Sequence, residues 1–211
     1  ASLVGLVKPE HKADSPVDIR PIAVSSVERC IWGRAALLGH KQAMRAEVTP
    51  QQLALHEPDG AGKALTAIRT SLEQHPDWIC CSMDMTNAFG TASRTAIMHA
   101  LWSNASMRPL VRLAMADLST AAELLLRREG ESELEWAPFK SAAGLQQGAP
   151  ASPALWSALM DRLLKSIDSK LKSGGGEGGV CAIMDDAYVY GPAERVLSII
   201  TTVYMGEGKA V

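Results

Sequence analysis

Apolar and polar positions alternate along the chain in short runs that predict both helices and strands. Prolines interrupt the first 24 residues, which predict extended backbone. Two helices are then predicted, over 26–45 and from about 62 to 74, with a loop at 46–61 between them. The apolar residues of the first helix fall on or near one face, namely Ile31, Ala35, Leu38 and Ala43.

The middle of the chain adds a strand, short helices and a hairpin. The apolar run 78–83 predicts a buried strand that ends at Asp84. Ser93 is a suitable N-cap for a helix over 94–102, and Pro109 opens another helix. The runs 123–128 and 133–140, separated around a Glu-Gly pair, predict a β-hairpin.

A long amphipathic helix is the clearest element of the second half. Ser152 is predicted as its N-cap, and Pro153 as its first residue. Apolar residues recur every four positions over about 18 residues, at Leu155, Leu159, Leu163, Ile167 and Leu171. A glycine-rich segment (174–179) ends this helix.

Two short apolar runs, 180–184 and 187–190, follow the glycine-rich segment. They predict a second hairpin that carries Asp185-Asp186 at its turn. A last helix is predicted near 193–204. Helices mixed with hairpins favour an α+β fold over a doubly wound parallel sheet.

Composition supports a folded domain. The chain has 211 residues, 47% of them hydrophobic and 21% charged, which suits one large or two small domains and disfavours disorder. The net charge of −2 excludes a strongly basic nucleic-acid module. A local basic channel remains open, because the first 45 residues carry seven Lys or Arg against four Asp or Glu.

The cysteines and the beginning of the chain further limit the class of protein. Cys30, Cys80, Cys81 and Cys181 form no CxxC pair, which argues against a disulfide framework or zinc knuckle and favours a reducing compartment. No apolar stretch approaches the length of a membrane span, and no signal peptide is visible. The chain begins at Ala1 and is expected to be a piece of a longer protein.

Three carboxylates carry the candidate chemistry. Asp84, Asp185 and Asp186 each follow an apolar strand, where an uncompensated charge is costly. A pair of Mg²⁺ ions is the natural compensating partner, since such cations take carboxylate and phosphate oxygens and support phosphoryl displacement. The alternative interpretation is that an Asp-Asp pair is only a solvated turn.

Four segments, in this order, resemble the fingers and palm of reverse transcriptases, most closely those of non-LTR retroelements. They are DIRPIAV (18–24, preceded by Lys8-Pro9), SMDMTNAF (82–89), GLQQGAPASP (144–153) and AIMDD (182–186). The resemblance covers almost the whole chain. It departs from the usual pattern at Ala149, Ala151 and Ile183, where relatives often carry Asp, Leu and an aromatic or alanine. None of these departures removes a predicted metal ligand.

The resemblance implies a role for each matching residue. Asp84, Asp185 and Asp186 would be catalytic and would bind the metal. For Asp186 two roles remain open, one beside the metal and one as a structural residue of the turn. The dNTP would meet Arg20, Lys8, Phe89, Gln147 and Gly148. Phe89 would lie under the sugar and exclude a ribose 2′-hydroxyl, and Arg20 would contact the triphosphate. Arg94 and Lys209 are further candidates. The alternative interpretations are that Phe89 is a core residue, that Arg20 is a surface arginine and that Gln147-Gly148 belongs to an ordinary loop.

The resemblance also implies a fold and a function. The fold would be an α+β right-hand polymerase with an antiparallel palm sheet backed by helices. Residues 1–75 would form fingers and 76–211 palm, with a fingers-like insertion around 105–140 and no thumb. The function would be RNA-directed DNA polymerisation with two Mg²⁺ ions, which Mn²⁺ can replace.

Partners follow from that function. They would be an RNA template, a DNA primer, dNTPs and other domains of a polyprotein such as a thumb and an endonuclease, without a membrane. Analogy with retroelements places such a polymerase in the nucleus or cytoplasm. Two alternatives remain open, a catalytically inactive nucleic-acid-binding scaffold of this fold and a different two-metal phosphotransferase such as a nuclease or nucleotide cyclase.

Overall fold

The computed structural model describes residues 2–7, 19–55, 57–119, 121–129 and 134–205. Within these ranges the chain forms seven strands and seven helices, together with two short 3₁₀ turns. The strands are β1 (Ser2–Val7), β2 (Ile19–Val24), β3 (Trp78–Met83), β4 (Ala122–Glu129), β5 (Leu134–Ser141), β6 (Gly179–Ile183) and β7 (Asp186–Pro192). The helices are α1 (Val27–Val48), α2 (Gly60–Gln74), α3 (Ala88–Thr91), α4 (Arg94–Ser103), α5 (Val111–Leu118), α6 (Ser152–Lys172) and α7 (Ala193–Met205).

An antiparallel three-stranded sheet in the order β3-β7-β6 lies between helices. On one face, Val180 and Val189 join the large core that α6 and α7 complete. On the other face, Cys181 packs against Leu53 and against Ala64 of α2. This confirms the predicted α+β class and the predicted sheet backed by helices.

A second sheet joins the amino-terminal strands to the middle of the chain. Its order is β2-β1-β4-β5, in which β1 runs antiparallel to β2 and parallel to β4. The hairpin predicted over 123–140 is confirmed as β4 and β5, and its connecting residues 130–133 lie outside the described ranges. The division into fingers and palm stays a prediction, although this sheet places the predicted insertion beside the amino-terminal strands.

Helix α6 is the centre of the large core. All five of its predicted apolar positions are buried, from Leu155 to Leu171. The helix has 21 residues, longer than predicted, and it begins at Ser152. Ser152 is not its N-cap, which corrects the prediction: the hydroxyl of Ser152 donates to the carbonyl of Gln146 at 2.7 Å, within the preceding loop.

Helix α1 buries a different face from the one that its apolar residues predict. Ile31 and Leu38 are exposed, at 61% and 68%, whereas Met44 and Val48 are fully buried. Gly33 explains the difference, because a Cβ there would lie 3.3 Å from Pro150. The close approach of the helix to the loop before α6 fixes which side of α1 faces inward.

Two other expectations are settled by local structure. Ser93 caps α4, accepting a hydrogen bond from the Ala96 amide at 3.2 Å, as predicted. All four cysteines are free, which agrees with the absence of a disulfide framework, and only Cys181 is fully buried. Among the described residues, no helix is both long enough and apolar enough to cross a bilayer.

Candidate active site

The three predicted carboxylates lie at one end of the three-stranded sheet. Strand β3 ends at Met83, which pairs with Ala187, so the register carried one residue further sets Asp84 opposite Asp186. Strand β6 ends at Ile183, which pairs with Asp186 across a two-residue turn of Met184 and Asp185. Opposed residues of an antiparallel pair lie roughly 4.5–5.5 Å apart at Cα, so the fold brings the three aspartates together.

The chemistry of these donors suits a hard divalent cation. Asp84 and Asp186 are exposed and Asp185 is half-buried, and carboxylate oxygens are the ligands that such a cation takes. Within the described ranges, no three His, Cys, Asp or Glu side chains are already arranged around a point that could hold a metal ion. The backbone therefore gathers the three residues, but their side chains do not form a ready-made coordination shell.

The turn that carries Asp185 is held by side chains from two other elements. Met184, its first residue, has a positive φ of 58°. The Gln52 amide donates to the Met184 carbonyl at 3.1 Å and accepts from the Met184 amide at 3.0 Å. The indole of Trp156 donates to the same carbonyl at 3.0 Å.

Sequence patterns did not predict Gln52 or Trp156 as part of the site. Gln52 lies in a loop and matches no motif. Trp156 sits among the buried positions of α6 and looks like ordinary core. One signal was available, since a buried Trp usually finds a hydrogen-bond partner for its N–H group.

Phe89 belongs to the same group of contacts. It lies in α3, five residues after Asp84, and is half-buried against the core. Its ring stacks on Trp156, with ring centroids 5.4 Å apart and planes 27° apart. Trp156 therefore connects the predicted sugar-contacting ring to the aspartate turn.

The Gln147-Gly148 loop connects α3 to strand β2. The amide of Leu145 donates to the Phe89 carbonyl at 2.6 Å, and the amide of Ala23 donates to the Gln147 carbonyl at 2.7 Å. Gly148 has a φ of 96°, and a Cβ there would lie 2.6 Å from the Ala23 carbonyl oxygen. Only glycine fits both this conformation and this close approach.

The structure describes two of the four predicted basic site residues, Arg20 and Arg94. Arg20 lies in β2, opposite Leu6, on the strand that the Gln147 loop contacts. Lys8 and Lys209 lie outside the described residues. The Arg94 guanidinium donates to the carbonyls of Gly144, Leu118 and Ser141 at 3.0–3.1 Å, so it fixes the loop before Gln147. Burial lowers the pKa of Arg94.

A large cavity lies away from the aspartates. It measures about 1110 Å³, lies between α4 and α6, and contains none of the predicted site residues. Two of its lining residues, Glu47 and Asp161, accept hydrogen bonds from Lys165 at 2.6 Å and 2.9 Å, which ties α1 to α6. The hydrogen bond from Lys165 lowers the pKa of Glu47, whereas burial raises the pKa of Asp161. We assign this ion-pair cluster to the scaffold.

Similar folds occur in solved polymerases. Telomerase from Candida albicans, solved in complex with the TWJ fragment of telomeric RNA, matches with a TM-score of 0.65 over 98% of this chain and 40% of its own, at 10% identity. The RNA-dependent RNA polymerase of bacteriophage phi12 matches with a TM-score of 0.56 over 90% of this chain and 30% of its own, at 14% identity. The chain therefore shares its fold with these two structures.

The sequence identifies the family. The family model described as reverse transcriptase (RNA-dependent DNA polymerase) matches residues 11–207, and the chain belongs to this family. A retrovirus-related Pol polyprotein from the type-2 retrotransposable element R2DM of Drosophila melanogaster is 26% identical over 194 residues, or 89% of this chain. The chain spans only 18% of the length of that relative.

Proposed function

We propose that this chain is the nucleotidyl-transfer core of an RNA-directed DNA polymerase from a retroelement. The observation that carries the proposal is the convergence of Asp84, Asp185 and Asp186 at one end of a helix-backed antiparallel sheet. The family match and the similarity to the Drosophila Pol polyprotein support both the polymerase and its retroelement origin.

The reaction would be an in-line phosphoryl transfer. The primer 3′-oxygen forms a bond to the α-phosphorus of a dNTP, the bond to the pyrophosphate oxygen breaks, and the hydroxyl proton is lost to solvent. Asp84 and Asp185 would hold the cations, and Asp186 would hold a cation or shape the turn. When bound, two Mg²⁺ ions, which Mn²⁺ can replace, would offset the charge of the attacking and leaving oxygens.

The residues around the carboxylates would receive the nucleotide. Phe89 presents a ring five residues from Asp84 and would contact the sugar. Gly148 has no side chain to obstruct the substrate, and the half-buried Gln147 would hydrogen-bond to a base or phosphate. Arg20, and Lys8 and Lys209 with it, would contact the triphosphate, where charge builds on the leaving group.

The partners would be an RNA template annealed to a DNA primer. Because the chain spans 18% of its Drosophila relative, we propose that a thumb and an endonuclease are supplied by other parts of a polyprotein. A separate thumb would also account for the modest charge of this chain, since thumb helices grip the duplex through basic residues.

Primer extension on an RNA template tests the proposal. With Mg²⁺ present, we expect the chain to extend a DNA primer with dNTPs and to use rNTPs far less, and we expect EDTA to stop the reaction. Binding of the RNA–DNA hybrid without extension, in either Mg²⁺ or Mn²⁺, would contradict the proposal and favour the inactive scaffold. Hydrolysis of DNA without use of dNTPs would favour a nuclease instead.

A further inference from the structure

A short segment before α2 is fixed against the edge of the three-stranded sheet. The Ala182 amide donates to the Gln51 carbonyl at 2.6 Å, and the Leu53 amide donates to the Ala182 carbonyl at 2.9 Å. Gln52 thus forms an isolated parallel bridge with Ala182 of β6, two residues before Met184. These bonds from Gln51 and Leu53 fix the main chain on both sides of Gln52, independently of its side chain.

The side chain of Gln52 then reaches the aspartate turn. It is fully buried, with 0% exposure, and its amide oxygen accepts from the amides of both Met184 and Ala54. Its amide nitrogen donates to the Met184 carbonyl, which also accepts from the Trp156 indole. Both main-chain polar groups of Met184 are therefore bound by side chains from distant parts of the sequence.

These bonds act on the residue that decides where Asp185 points. Met184 is a non-glycine residue at a φ of 58°, a left-handed conformation that persists only where the surroundings hold it. Asp185 is the next residue of the turn, and Asp186 begins β7. Rotation of the Met184 main chain would move both carboxylates relative to Asp84, and such misplacement reduces the rate of a positioned reaction.

We propose that Gln52, together with Trp156, is a positioning residue that fixes the main chain of Met184 and so aims the carboxylates of Asp185 and Asp186 for nucleotidyl transfer. The inference rests on the proposed polymerase function. Gln52 lies in the part of the chain that the sequence assigns to the fingers, so it links that part to the catalytic turn.

Three variants separate positioning from general loss of stability. Gln52→Leu removes both hydrogen bonds from the Gln52 side chain to the turn at similar volume and leaves the bond from Trp156 in place. Trp156→Phe removes the indole donor and keeps a smaller ring against Phe89. Gln51→Leu is the matched control, because Gln51 is also buried but its amide donates to Asp168, away from the turn.

The first readout is the rate constant of single-nucleotide incorporation. We expect Gln52→Leu to lower it about 10-fold to 100-fold, the usual effect of removing a residue that orients a metal ligand. We expect the dNTP KM and the Kd for primer–template to stay within about twofold, as for a defect of alignment and not of binding. Trp156→Phe should lower the rate constant in the same way but less, and Gln51→Leu should leave it near that of the unaltered chain.

The second readout needs no polymerase activity. Hydrogen exchange at the Met184 amide should accelerate in Gln52→Leu, whereas exchange at the Ala182 amide, bonded to the Gln51 carbonyl, should not change. Unchanged exchange at Met184, or equal rate losses in Gln52→Leu and Gln51→Leu, would overturn the inference. If Gln52→Leu does not fold, the rate constant of Trp156→Phe decides whether side-chain bonds to Met184 position the turn, and an unchanged rate constant would overturn the inference. An unaltered chain without extension would contradict the proposed function, and hydrogen exchange would still decide whether Gln52 holds the turn.

Discussion

Phe89 is the residue at which choice between deoxyribonucleotides and ribonucleotides would be made. Its ring is held on one side by Trp156, 5.4 Å away, and its carbonyl accepts from Leu145 at the start of the Gln147 loop. The ring is only partly buried, so a face or edge stays available to a substrate. A rigidly backed ring is a better steric gate than a free one, since its position is not lost to rotamer changes.

Replacing that ring tests the gate. Phe89→Val should lower the preference for dNTPs over rNTPs about 10-fold or more, because the space for a 2′-hydroxyl opens where the ring was. Phe89→Tyr, which keeps the ring, serves as the control and should retain the preference. Incorporation of single dNTPs and rNTPs, compared as kcat/KM, measures it. An unchanged ratio in Phe89→Val would show that Phe89 is only a core residue.

At the scale of elements, α6 and the loop before it connect most parts of the site. The loop bonds to β2 through Gln147 and to α3 through Leu145, and the helix reaches the aspartate turn through Trp156. Arg94, on the neighbouring α4, holds the beginning of this loop through Gly144 and Ser141. The loop is thus tied to the elements around it before any substrate arrives.

Arg94→Lys tests how far one guanidinium holds α4 and the loop together. A single ammonium cannot span the carbonyls of Gly144, Leu118 and Ser141, so part-buried acceptors lose their donor. We expect the free energy of unfolding to fall by about 2 kcal/mol. Urea denaturation measures it, with Arg112→Lys, an exposed arginine on α5, as the control expected within about 0.5 kcal/mol of the unaltered chain. Equal values for the two variants would show that Arg94 does not anchor the loop.

At the scale of the whole molecule, local patterns predicted the palm-like sheet better than the rest. The hairpin with Asp185 at its turn and the strand that ends before Asp84 were both visible, because strand length and turn residues are local signals. The pairing of β1 with β4, more than 100 residues apart, was not visible, since no periodicity encodes a non-local partner. The buried face of α1 was missed for a similar reason, because Gly33 faces Pro150 from a distant loop.

The site also shows that local motifs are predictable from sequence and that non-local contacts are not. Asp84, Asp185, Phe89 and Gln147 were predicted from their motifs. The structure brings Asp84 beside the turn that carries Asp185, and it bonds the Gln147 loop to Phe89 through Leu145. Gln52 was not predicted, because its role depends on a contact with Met184, 132 positions away. The roles of the predicted residues stay proposals until variants are measured.

The most direct test is single-nucleotide incorporation by Asp84→Asn and Asp185→Asn, with Asp77→Asn as the control. Asp77 is exposed just before the opposite end of β3, so its variant removes the same charge away from the proposed site. We expect both site variants to lose at least about 10³-fold in rate, because several kcal/mol of transition-state stabilisation would be lost, while hybrid binding and thermal stability persist. The control should keep its rate. Metal-dependent incorporation retained in both site variants would contradict the assignment of catalysis to this end of the sheet.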